Sequence, residues 1–161
     1  MNIEYINPFI NSISNVIVTM ATLEVTPGTA KPKTDDHAYG DVSGIIGMIS
    51  KTLKGSMALS FTEPAILEIT SRMLGEKTTC IDEMVADCVG EITNMVTGGA
   101  KAILAEMGHY FDMATPVIVT GKDHDIIHKF KGAKVIIPFT ISAGGEFFVE
   151  ICFEGVEKLP A

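Results

Sequence analysis

The chain lacks what several common kinds of chemistry require. Its three cysteines, Cys80, Cys88 and Cys152, are odd in number and far apart, with no CxxC or zinc-ligand spacing. We therefore expect free thiols in a reducing compartment rather than a disulfide frame or a structural metal. No apolar run approaches the ~20 residues that a membrane-spanning helix needs, because Gly, Ser, Thr or a charge interrupts each one. No Lys/Arg cluster offsets the net charge of −8. That argues against a nucleic-acid partner, since such affinity rests largely on basic residues that release counterions. Met1–Tyr5 has no basic region leading into an apolar one, so no secretory leader is expected and the cytoplasm is the expected location. No Ser/His/Asp or Cys/His set stands out for nucleophilic catalysis. Gly98-Gly99 and Gly144-Gly145 lack the strand-to-helix setting of a nucleotide loop, so no nucleotide site is expected.

What is present suffices for a full core. With 161 residues and 47% hydrophobic content, the chain fits one domain, 1–161. Asn7-Pro8 is a helix-start signal, and Phe9, Ile13, Val16, Ile17 and Met20 recur on one helical face. This predicts a first helix over about 8–22. Residues 26–41 are rich in turn formers and read as an extended edge segment. Residues 44–49 and 56–61 predict two strands around a hairpin turn at 51–55. Thr62-Glu63-Pro64 opens a second helix that Gly75 closes as a left-handed cap. A third, longer helix spans about 81–107, followed by strands at 116–120, 133–139 and 146–153 with a turn at Ala143-Gly144-Gly145.

A short phrase occurs twice. Ser12-Ile13-Ser14-Asn15-Val16-Ile17 reads almost like Glu91-Ile92-Thr93-Asn94-Met95-Val96, and Asn15 and Asn94 stand 79 positions apart. The later strand pair follows the earlier one by about 90 positions, so the duplication extends into the sheet. We expect an α+β fold of two related helix-plus-hairpin halves, about 1–75 and 76–161, with helices packed on one face of a mainly antiparallel sheet.

The copies differ in chemistry: one carries Glu91 three residues before the amide, the other Ser12. At about 100° per residue, Val85, Cys88, Val89, Ile92, Met95, Val96, Ala100 and Ile103 form a core face on the third helix. Asp87, Glu91, Asn94 and Gly98 form a narrow stripe beside it, edged by Glu83 and Lys101. Most such Glu/Asn pairs are merely solvated. Here two weak helix formers, Asn94 and the Gly98-Gly99 pair, occupy the stripe at a cost of roughly 1 kcal/mol per glycine. Docking explains that better than stability does.

The phrase Asp87-Cys88-Val89-Gly90-Glu91-Ile92-Thr93-Asn94-Met95-Val96, with Gly98-Gly99-Ala100-Lys101, resembles the ExxN signature of the CheC/CheX/FliY phosphatases of bacterial chemotaxis. Tyr5-Ile6-Asn7-Pro8-Phe9-Ile10 and Thr115-Pro116-Val117-Ile118-Val119-Thr120-Gly121-Lys122 look most like the CheX branch. The resemblance implies a CheC-like fold and hydrolysis of the aspartyl phosphate of a CheY-type response regulator. It implies that Asn94 orients the attacking water, and that Glu91 pairs with a regulator lysine. Asp87 and Gly98 fall to substrate docking, Asn15 is left inactive because Ser12 replaces its carboxylate, and a homodimer through sheet edges is implied. No cofactor of its own is expected; Mg²⁺ comes with the regulator.

Two other readings stay open: a non-catalytic module that docks on a regulator or flagellar-switch component through the same stripe, and a ligand- or metal-sensing domain centred on His124 and His128. The Asp123-His124-Asp125 run with His128 is otherwise expected to be a polar turn between strands, and Cys88 a core residue.

Overall fold

Local capping signals set the two later helices. The computed structural model describes residues 3–155; residues 1–2 and 156–161, part of the expected 1–161 domain, lie outside the described residues. Helix α2 runs Glu63–Leu74, as its flanking residues predict. Thr62 is extended (φ −67°, ψ 151°), proline occupies the first turn, and Gly75 adopts the left-handed conformation at φ 70°. Helix α3, Glu83–Glu106, begins at Asp82, whose side chain accepts from the Val85 N–H at 3.0 Å.

Helix α1 departs from expectation. It spans Ile3–Ala21 with Pro8 inside it, so Asn7 is not its cap. Pro8 gives up one backbone hydrogen bond. Tertiary packing outweighs that loss: Ile6 is buried, and the Tyr5 ring lies 5.0 Å from His109 and 6.0 Å from Phe153.

The remaining elements are β1 (Val25–Pro27), β2 (Lys31–Pro32), β3 (Val42–Ile49), β4 (Leu53–Phe61), β5 (Asp112–Met113), β6 (Val117–Thr120), β7 (Lys134–Ile141) and β8 (Glu146–Gly155). They form one antiparallel sheet ordered β1-β7-β8-β4-β3-β5, with β2 also on β7 and β6 also on β3. The hairpins β3–β4 and β7–β8 lie side by side, with Ala58 opposite Glu150. The edge segment expected at 26–41 is claimed by its own chain, since β1 and β2 both pair with β7.

Alternation along the strands separates two faces. Met57, Leu59 and Phe61 of β4 and Phe147, Val149, Ile151 and Phe153 of β8 join Phe9, Ile13 and Ile17 of α1 and Val89, Ile92 and Val96 of α3 in one core. The three helices thus cover one face of the sheet, as expected. The opposite face is not left to solvent. Residues 33–38 and 121–128 lie across it, tied by Ala38 N–H to His124 O (2.9 Å) and Ile126 N–H to Asp36 O (2.7 Å), with Ile126 packed on Ala38 and Ala58.

Beneath this strap Glu150, fully buried on β8, pairs with Lys33 and accepts from His128 Nε2 at 3.0 Å. The Ser56 hydroxyl meets His128 Nδ1 at 2.5 Å, and Lys33 Nζ also donates to His37 O at 2.6 Å. A carboxylate only accepts, so the His128 Nε2–H donates to Glu150. Asp123 does lie in an exposed turn, as expected for this run, whereas His128 beyond it belongs to a strap pinned by a buried polar network.

Candidate active site

Helix α3 rests on two unusually close contacts. Below it lies β3, where a Cβ at Gly44 would fall 2.1 Å from Thr93 Oγ1. Beside it lies α1, where a Cβ at Gly99 would fall 2.3 Å from Ser12 Oγ. Only glycine permits either approach. Val85, Val89, Ile92, Val96, Ala100 and Leu104 fill the core side, Leu104 taking the place predicted for Ile103, which is only half-buried. The Thr93 and Thr97 hydroxyls turn back on the carbonyls of Val89 and Thr93, so their burial leaves no polar atom unmatched.

So seated, α3 has one free side. Asp87, Glu91 and Asn94 are exposed along it and Gly98 is half-exposed. Glu91 and Asn94 sit three residues apart, which places their Cβ atoms roughly 5–6 Å from each other. Among the described residues, neither the Asn94 carboxamide nor the Glu91 carboxylate has a hydrogen-bond or ion-pair partner within the chain. Next to them a Cβ at Gly98 would meet nothing within 4 Å. The gap beside the pair is open surface, whereas the adjoining Gly99 is packed. Charge changes sign along the stripe, from Glu83, Asp87 and Glu91 to Lys101.

The cysteine nearest this stripe is not a nucleophile. Cys88 is buried, and burial, reinforced by the negative charges of Asp87 and Glu91, pushes its thiol up from its ordinary range, so it stays protonated at neutral pH. The arrangement offers an amide that both donates and accepts, a carboxylate, and room for another surface. Those groups can position and polarise the reacting atoms of a bound partner.

The repeated phrase is not equivalent in space. Asn15 is exposed like Asn94, but Ser12 is only 2% exposed, its hydroxyl donating to Val96 O at 2.7 Å, whereas its sequence counterpart Glu91 faces solvent. The structure therefore brings Glu91 and Asn94 together on one face and leaves Asn15 without a companion carboxylate. His124 and His128 are not brought to a common site: His124 contacts Ser43 (2.7 Å) and Gly121 O (2.6 Å), and His128 contacts Ser56 and Glu150. The part of Ser12 was missed from sequence, although Gly99 was its available signal.

Three helices on one antiparallel sheet, with a free carboxylate/amide pair on the longest helix, define a CheC-like protein. The crystal structure of a CheC-like superfamily protein from Shewanella sp. PV-4 matches with a TM-score of 0.90 and 55% identity, covering 96% of this chain and 100% of that one. The chain belongs to the family described as chemotaxis phosphatase CheX, which matches residues 42–140. The CheY-P phosphatase CheX of Thermotoga maritima is 30% identical over 152 residues, 91% of this chain and 92% of that protein. A crystal structure of the CheX–CheY–BeF₃–Mg²⁺ complex from Borrelia burgdorferi is similar at a TM-score of 0.80 and 26% identity, over 95% of this chain and 99% of that chain.

Proposed function

We propose that this chain hydrolyses the aspartyl phosphate of a CheY-type response regulator, with Asn94 orienting the attacking water and Glu91 pairing with a lysine of the regulator. The observation that carries the reading is the unpartnered Glu91/Asn94 pair on a helix whose every other side is committed to packing. An acyl phosphate is already reactive, and the regulator brings its own Mg²⁺. The phosphatase need only place water in line and complete the electrostatics. An amide does this without titrating. The relative that forms a complex with CheY and Mg²⁺ supports the same division of labour. Asp87 and Gly98 belong to the docking surface on this reading, and no cofactor of the chain's own takes part.

The assigned roles make separable predictions. Glu91→Gln keeps shape and removes charge, so KM for the phosphorylated regulator should rise about tenfold, the loss of a charged contact. The pH profile of kcat should not move. Loss of an acidic limb in that profile would instead make Glu91 a general base and overturn its docking role. Gly98→Ala should stabilise the isolated chain by about 0.5–1 kcal/mol, because the added methyl meets nothing and alanine is the better helix former. The same methyl should raise KM by crowding the partner. A stabilised variant with wild-type KM would remove Gly98 from the interface.

The cytoplasm suits a phosphorylated regulator as substrate and the free thiols of Cys80, Cys88 and Cys152. The halves 1–75 and 76–161 are read as one cooperative domain. In support, β1 and β2 pair with β7 and β5 and β6 with β3, so neither half completes its sheet alone. The short edge strands on both sides leave room for a homodimer through a sheet edge.

A further inference from the structure

Ser12 stands where the repeated phrase would place a second carboxylate, and the fold has given it another task. Its hydroxyl, buried, donates to the carbonyl of Val96, two residues beyond Asn94. The contact exists only because the facing residue is glycine: a Cβ at Gly99 would lie 2.3 Å from Ser12 Oγ and 3.2 Å from Ser12 Cβ. On the other flank of the same turn, Thr93 presses on β3 at Gly44. The turn that presents Asn94 is therefore gripped from two directions, from the sheet through Thr93 and from α1 through Ser12. Of the two grips, the one from α1 is polar and directional, because a single hydroxyl meets a single carbonyl.

We propose that Ser12 and Gly99 are positioning residues for the phosphatase reaction: their close crossing fixes the depth and rotation of α3, so that Asn94 and Glu91 enter the partner at one set height. This rests on the phosphatase reading given above. The physical reason is the steepness of in-line attack, where a misplacement of about 1 Å costs roughly a hundredfold in rate. The crossing also explains why the phrase is duplicated without a second site. A carboxylate at position 12 would be buried against the Val96 carbonyl, acceptor against acceptor, rather than offered to a partner.

The test is a rescue. Gly99→Ala forces either α1 and α3 apart or the Ser12 hydroxyl away from Val96 O. The expected result is a kcat about tenfold lower on a CheY-type regulator phosphorylated with a small phosphodonor, with KM within twofold of wild type. Adding Ser12→Ala removes the 2.3 Å clash and leaves only the 3.2 Å contact, so the double variant should recover to the rate of Ser12→Ala alone, about threefold below wild type. A merely structural crossing would lower Tm and leave kcat per folded molecule unchanged. Wild-type kcat for a folded Gly99→Ala, or no recovery on adding Ser12→Ala, would overturn the proposal. Should Gly99→Ala not fold, Ser12→Ala alone decides: kcat about threefold lower supports the crossing, and unchanged kcat refutes it. Asn94→Ala is run alongside. If it turns over like wild type, the phosphatase reading itself has failed; if it is inactive while Ser12 and Gly99 variants are neutral, only the positioning role is lost.

Discussion

Asn94→Ala should release phosphate from a phosphorylated regulator about a hundredfold more slowly than wild type while melting at the same temperature or slightly higher. A hundredfold is about 2.7 kcal/mol of barrier, the range lost when one preorganised hydrogen-bond donor is removed from a reacting centre. The stability side follows from position. Asn94 is exposed, its side chain has no partner among the described residues, and alanine is the better helix former. Activity and stability should therefore move independently, or in opposite directions. The alternative of a non-catalytic module makes a different forecast, because such a module has no turnover to lose and Asn94→Ala would alter binding alone. An Asn94→Ala protein that is both less active and less stable would point to a structural defect rather than to a lost water-orienting group.

Glu150→Gln should do the reverse. Lys33 and His128 both converge on this carboxylate beneath the strap, with the three side chains at 0–1% exposure. Gln preserves volume but removes the counter-charge. Lys33 would then be a buried cation whose remaining counter-charge is the half-exposed Asp35 carboxylate at 3.7 Å. Breaking a buried pair from one side costs about 3–5 kcal/mol, against a total stability of about 5–15 kcal/mol for a protein. For a chain of this size the expected fall in Tm is on the order of 10 °C. The network lies on the sheet face opposite the helices, so kcat of the folded variant, measured well below its Tm, should be unchanged. Lys33→Met with Glu150→Gln removes the stranded charge and should recover part of the loss. If Glu150→Gln melts within about 2 °C of wild type, the network contributes no net stability.

How far the chain could be read in advance depended on how local the signal was. Helix α2 was legible to the residue, because Thr62-Glu63-Pro64 and Gly75 carry their own start and stop chemistry. The strand pairs were legible through alternation and the glycine turn, where Gly144 and Gly145 adopt φ 89° and 103°. The start of α1 was not. Asn7-Pro8 is a capping signal in sequence, yet Ile6 is buried in the core and Tyr5 finds aromatic partners more than a hundred residues away, and the helix extends to include both. The strap over the outer face was hidden for the same reason. His128 meets Ser56 and Glu150, and Lys33 meets Glu150 across 117 positions, so side chains scattered along the sequence form one buried network in space.

The candidate site shows both cases at once. Asp87, Glu91, Asn94 and Gly98 were legible as a stripe because helical spacing alone decides which residues share a face. The different fate of Ser12 was not, since equal phrases on two helices say nothing about how each helix is rotated against its neighbours. The glycines divide likewise: Gly98 and Gly99 are identical in sequence, and only packing separates the one that leaves space from the one that closes it.

The role proposed for the exposed amide of Asn94 is to direct water onto a partner's acyl phosphate. Its most direct measurement is single-turnover phosphate release from a phosphorylated CheY-type regulator, at phosphatase concentrations that saturate it, with wild type and Asn94→Ala side by side and complex formation measured on the same samples. Comparable binding and rates that differ by about a hundredfold are expected. Equal rates from the two proteins at equal occupancy would contradict that role.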